Sequence, residues 1–166
     1  MYGNTLPLLT PGPSRREILL NPWDYVEIHN SIIHGYPNSS EEDFTEINQV
    51  LNDLEHSRCL PASEIPKDIV TLNSVVTIRN FNCGTVKNII LVLPGAAGMD
   101  RNCVSVLHPL GRMLLGSRVK EMLEFQEQGG PVRYQVEQIL YQPESMGEYQ
   151  AKSLSKAKFI VEQLHR

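Results

Sequence analysis

The sharpest chemical signal in the sequence is three consecutive carboxylates, Glu41, Glu42 and Asp43. Carboxylate oxygens suit a hard cation such as Mg²⁺. They also directly follow Ser39 and Ser40, which cap helices, and acids in a first turn complement the helix dipole without any metal. The dipole account is the simpler one, and no metal is assigned. Asp53, His56 and Cys59 sit three residues apart, on one face of a helix. Three ligands of mixed character fall short of a zinc set, and a histidine near a helix C-terminus has its own electrostatic reason to be there. Gly95-Ala96-Ala97-Gly98 lacks the Lys-Ser/Thr ending of a phosphate loop and reads as a hairpin loop. There is no Gly-x-Ser-x-Gly elbow and no recognisable Ser/His/Asp set, so neither a catalytic residue nor a cofactor is implied.

The acids must be carried by helices. Asn21 can cap a helix with Pro22 at its first position and Asp24 in its first turn. Trp23, Val26, Asn30 and Ile33 then recur at helical spacing, with Ile32 beside them, until His34-Gly35. Tyr36-Pro37-Asn38-Ser39-Ser40 is a turn. A second helix runs to about Arg58, with Phe44, Ile47, Leu51 and Leu54 as its apolar stripe, and the two helices make a short antiparallel hairpin. Glu41, Glu42 and Asp43 sit at its bend.

Pro61 to Pro66 breaks the helical pattern, and from Val70 the period becomes that of strands. Val75–Phe81 and Val86–Leu93 flank an Asn82-Cys83-Gly84 turn, and the run Ile89 to Leu93 predicts burial on both faces. A strand at Cys103–Leu107 leads through His108-Pro109 into a short helix, on which Leu114 is a core anchor and which Gly116 ends. Met122–Gln126 and Val132–Val136 form a hairpin around Gly129-Gly130-Pro131. Leu154, Ala157, Ile160, Val161 and Leu164 mark an amphipathic terminal helix that covers an apolar patch or packs on the surface.

With 166 residues, 41% hydrophobic and 20% charged, the chain can hold one full core or two small ones. A net charge of -4 offers no cationic surface for phosphates, which favours a protein partner over direct nucleic-acid binding. Three widely separated cysteines read as free thiols of a reducing compartment. No run approaches the length of a membrane span, and the N-terminus lacks the form of a secretory signal, so a cytoplasmic location is expected.

The order Pro109-Leu110-Gly111-x-x-Leu114-Leu115-Gly116, a hairpin with a Gly-Gly tip, then Val136-x-x-Ile139-Leu140-Tyr141-Gln142-Pro143-Glu144-x-x-Gly147-x-Tyr149 resembles the C-terminal domain of Gre-type transcription elongation factors. Ile65-Pro66-Lys67-Asp68-Ile69-Val70-Thr71-Leu72-Asn73-Ser74 upstream, with Tyr141-Gln142-Pro143-Glu144, is similar to the regulator of nucleoside diphosphate kinase branch. The resemblance runs from about Ile18 to Tyr149. It implies an α+β fold, with a short helical coiled-coil hairpin ahead of an FKBP-like antiparallel β domain that carries one short helix. The expected division is an irregular arm at 1–17, the hairpin and linker at 18–65, the β domain at 66–150 and an extra helix at 151–166. It also implies a non-catalytic regulator that binds RNA polymerase at the secondary-channel rim, with neither membrane nor sequence-specific nucleic acid as partner. The residues implicated are Glu41, Glu42 and Asp43 at the tip, with Pro109 and Gly111 in the docking turn, where His108 and Leu107 replace a small and a polar residue. Helices this short imply occupancy of the channel entrance without stimulation of transcript cleavage. The alternatives are a peptidyl-prolyl isomerase, which FKBP-like folds can support, and an interaction module acting on nucleoside diphosphate kinase. The lone Trp23 falls in the hairpin instead of a proline pocket.

Overall fold

From Val75 onward the alternation of side chains builds one sheet with two working faces. A computed structural model describes residues 16–35, 40–148 and 152–166. The arm expected at residues 1–17, apart from its last two residues, and the turn at 36–39 lie outside them.

The described chain runs β1 (Leu19–Leu20), α1 (Pro22–Gly35), α2 (Glu41–Glu55), β2 (Arg58–Cys59), β3 (Val75–Asn80), β4 (Val86–Val92), β5 (Cys103–Ser105), α3 (Pro109–Leu114), β6 (Met122–Glu127), β7 (Gly130–Tyr141) and α4 (Lys152–Leu164). Five strands form a sheet in the order β5-β4-β3-β7-β6, while β1 and β2 pair separately in parallel. The architecture is α+β, as expected. β3–β4, β3–β7 and β6–β7 are antiparallel, whereas β4 and β5 are parallel. That pairing corrects the expectation of a wholly antiparallel sheet and of a hairpin loop at Gly95–Gly98. Parallel neighbours need a crossover, and Pro94–Met99 supplies it as a 3₁₀ helix.

β4 shows how the period of two sorts the core. Ile89 and Leu91 face one cluster with Val76, Ile78, Leu114, Leu123 and Val136. Ile90 and Val92 face a second with Val75, Cys103 and Tyr141. α4 covers that second face through Ala157 and Val161, which accounts for the burial of β4 on both sides. Leu114 is fully buried.

The first face is covered by α1 and α2, whose Ile28, Ile32, Ile47, Val50 and Leu54 belong to the same core as Leu72, Leu91, Leu107 and Leu110. The expected apolar stripes are partly corrected here. On α1 the buried residues are Asp24, Ile28 and Ile32, while Trp23 and Val26 are each 46% exposed and Ile33 is 55% exposed. On α2 Val50 joins Ile47 and Leu54, and Phe44 is 52% exposed. The helices meet a sheet as well as each other, so the faces that fit the sheet win over the spacing that fits a two-helix seam. α2 also stops at Glu55, not Arg58, because Arg58 and Cys59 are taken as β2 by β1.

Arg112 of α3 ties α2 down. Its guanidinium donates to Asp53 at 2.6 and 3.2 Å and to Gln49 at 3.0 Å. The pair is only partly buried, with side chains 30% and 15% exposed, so solvent screening limits its worth. Arg112→Ala is expected to cost about 1 kcal/mol of stability in urea titrations. Asp53→Ala should cost the same, and the double variant little more; additive losses would show that the two residues act separately.

Candidate functional site

Two of the segments that the sequence singles out come together in space. Ser40 and Asp43 form a reciprocal capping box at the start of α2. The Ser40 amide donates to Asp43 Oδ2 at 2.9 Å, and the Asp43 amide donates to Ser40 Oγ at 3.2 Å. The Ser40 hydroxyl also donates to Asp43 Oδ2 at 2.6 Å, and these bonds hold the Asp43 carboxyl below its ordinary pKa. Asp43 is therefore a charged group in a fixed pose, though fully exposed. Glu41 is exposed as well.

The other segment is the turn between β5 and α3. His108 caps α3, its Nδ1 accepting from the Leu110 amide at 3.1 Å, and Pro109 fills the first position of the helix, where no amide is needed. The His108 amide donates to Ser105 O at 3.0 Å, which closes the turn. Gly111 is buried, Pro109 half-buried and His108 exposed. The histidine that replaces a small residue thus serves as a cap, a role its place before Pro109 makes legible.

Asp43, Glu46, Ser105, Leu107 and His108 line one open cavity of about 260 Å³, floored by Pro94 and Ala97 of the 3₁₀ crossover. The acidic end of α2 and the turn that leads into Pro109 thus line the same cavity. Asp53 and His56 are otherwise occupied: Asp53 accepts from Arg112, and His56 Nδ1 lies 2.7 Å from Asn52 O. Among the described residues no cluster of three or more His, Cys, Asp or Glu side chains could hold a metal.

Sequence reasoning missed a buried polar cluster beneath α1. Asn21 Nδ2 donates to Glu144 Oε1 at 2.6 Å, and Thr71 Oγ1 donates to Glu144 Oε2 at 2.7 Å. The Leu72 amide donates to Asp24 Oδ2 at 3.2 Å, and the Asp24 amide to Asn21 Oδ1 at 2.8 Å. Burial, and then the neighbouring Glu144 charge, push the Asp24 carboxyl well above its usual range. A hydrogen bond shared with Glu144 pushes the Asp24 carboxyl in the same direction. Asn21 and Asp24 read as ordinary helix-start residues, and nothing local in the sequence sets them opposite Glu144.

The family model for the C-terminal domain of GreA/GreB transcription elongation factors matches residues 65–141. The regulator of nucleoside diphosphate kinase from Escherichia coli (strain K12) is 35% identical over 98 residues, covering 58% of this chain and 72% of that protein. Transcription elongation factor GreA from Thermotoga neapolitana is 36% identical over 94 residues, covering 57% of this chain and 58% of that protein. Among solved structures, a GreA/GreB elongation factor from Nitrosomonas europaea superposes with a TM-score of 0.62 at 22% identity, over 76% of this chain and 100% of that one. At that identity the likeness shows the fold alone. No described helix is long and apolar enough to cross a membrane.

Proposed function

The chain belongs to the GreA/GreB family of transcription elongation factors, and from that premise we propose that it binds RNA polymerase in the cytoplasm at the rim of the secondary channel. It regulates transcription there without stimulating transcript cleavage. In this reading residues 66–150 act as an FKBP-like docking domain, residues 18–65 as a short coiled-coil hairpin, and Pro109 and Gly111 shape the turn that meets the polymerase. Glu41, Glu42 and Asp43 are the tip acids. Their reach carries the proposal. α1 and α2 have 14 and 15 residues, about 20 Å of helix each at 1.5 Å per residue. Family members that stimulate cleavage carry their tip carboxylates on longer coiled coils, so that these can share a metal with the polymerase. An effect on nucleoside diphosphate kinase, the target in a relative's name, then follows from transcription and needs no direct contact.

Because α1 and α2 share the core with the sheet, the test uses the full chain. Purified protein is added to stalled elongation complexes in magnesium, with and without a cleavage-stimulating GreA, and the transcript's 3′ end is followed. The expected result is no cleavage above the intrinsic rate, together with inhibition of the GreA-dependent reaction as the protein competes for the channel. Cleavage above the intrinsic rate, abolished by Glu41→Ala/Glu42→Ala/Asp43→Ala, would overturn the reach argument. Failure to inhibit GreA at any concentration would remove the shared binding site.

A further inference from the structure

α1 has apolar residues on two opposite sides, and the fold uses only one. Ile28 and Ile32 face the core, whereas Trp23, Val26 and Ile33 point outward with exposed Asn30 among them. These four residues are spaced three, four and three apart, the a-d-a-d spacing of a heptad, with asparagine at an a position where it fixes register. On α2, Phe44, Ile47, Leu51 and Leu54 repeat the same spacing. The two rows also match in register. Ile33 and Phe44, Asn30 and Ile47, Val26 and Leu51, Trp23 and Leu54 each lie equally far along the chain from the point between Asn38 and Ser39, so an antiparallel hairpin would set every pair level.

The present packing divides these pairs. Phe44 is 52% and Ile33 55% exposed, while Ile47 and Leu54 are sunk in the core under the sheet face. The inner face that α1 uses instead carries a carboxyl group, Asp24, which must be desolvated next to Glu144. One face of α1 fits the sheet with a buried acid, and the other fits α2 along its whole length.

We propose that the helical pair exchanges between two packings, the docked one described here and a self-paired antiparallel hairpin in which Trp23, Val26 and Ile33 close on Leu54, Leu51 and Phe44. Docking joins α1 and α2 to the core that holds Leu72, Leu107 and Leu110, so in the free chain the docked form dominates and the hairpin is a minor state. The exchange does not depend on the polymerase reading, and it is tested on the free protein.

Val26→Cys/Leu51→Cys is built with Cys59→Ser and Cys83→Ser, because those two thiols are exposed; Cys103 is buried and remains. Under mild oxidation an intrachain disulfide is expected to form roughly tenfold faster than in the control pair Val26→Cys/Asn48→Cys, since a disulfide needs close, facing Cβ atoms. Adding Asn30→Leu should speed it further, and the oxidised form should shift the emission of Trp23, the lone tryptophan, to shorter wavelength. An intrachain rate no higher than the control, or slowing by Asn30→Leu, would overturn the proposal. Crosslinks formed only between chains would also overturn it and would assign the outer face of α1 to a second copy. If the reduced double variant does not unfold cooperatively, Ile33→Cys/Phe44→Cys, at two exposed positions, makes the same test.

Discussion

Gly111→Ala is expected to destabilise the protein by more than about 3 kcal/mol, at the top of the range for overpacking a core. A Cβ on Gly111 would stand 1.9 Å from Ser105 O, 2.7 Å from Ser105 C and 3.3 Å from Leu91 Cδ1. The first two are backbone atoms, and the Ser105 carbonyl is already fixed because it accepts the His108 amide. No rotamer change relieves such a contact; either α3 moves off β5 or the turn opens. α3 carries Leu110 and Leu114 into the core and Arg112 to Asp53, so a shift there loosens the sheet and α2 together. In thermal unfolding the midpoint should fall by roughly 6 °C or more for a chain of this size. A fall of less than about 2 °C would mean that the turn adapts. Loss of polymerase binding in this variant would therefore report unfolding, not a lost contact; His108→Ala, at an exposed position, is the better probe of docking.

Helix starts were legible because caps are local. Asn21-Pro22 predicts the beginning of α1 where it occurs, and Ser39 or Ser40 with Glu42 or Asp43 that of α2, of which the fold uses Ser40 with Asp43, since an orphan amide at a helix start is readily satisfied by a neighbour in sequence. Strand burial was legible for β4, where an unbroken apolar run has no polar side to expose. The choice of helix face was not legible. Trp23, Val26 and Ile33 make a regular stripe, but Ile28 and Ile32 make another, and only the arrival of Leu72, Leu107 and Leu110 from later in the chain decides between them. The parallel β4–β5 pairing was hidden because Gly95-Ala96-Ala97-Gly98 looks like any tight turn, and its 3₁₀ path shows only once β5 is placed. Of the candidate site, the sequence supplied the acidic end of α2 and the Pro109 turn separately. That Asp43 and His108 line one cavity depends on how α2 lies across the sheet.

The same dependence on tertiary placement gives Asp24 its chemistry, and it predicts an unusual stability profile. Glu144 faces Asp24 from the 3₁₀ turn after β7, and the other groups around the two carboxyls are neutral: the Asn21 amide, the Thr71 and Ser74 hydroxyls and the Leu72 N–H. Asp24 is raised above 3.8 in the fold, by burial first and by Glu144 second. The folded chain therefore holds a proton that the unfolded chain has lost. The stabilisation is complete below the ordinary carboxyl pKa and disappears as pH rises through the folded value. Asp43 and Glu148 work in the opposite direction, since hydrogen bonds lower their pKa, but Asp43 is exposed, Glu148 is only half-buried, and both act at acid pH. Stability in urea should accordingly fall as pH increases above about 4, and each tenfold preference for the protonated form is worth about 1.4 kcal/mol. Asp24→Asn keeps an acceptor for the Leu72 amide and removes the titration, so its profile should be flat across that window. Glu144→Gln removes the charge but not the burial. It should therefore keep the sign of the slope and move it to lower pH. A parent profile that rises with pH in this window, or an Asp24→Asn variant that retains the full slope, would show that Asp24 is ionised in the fold. A slope abolished by Glu144→Gln alone would make the charge of Glu144, and not burial, the dominant cause.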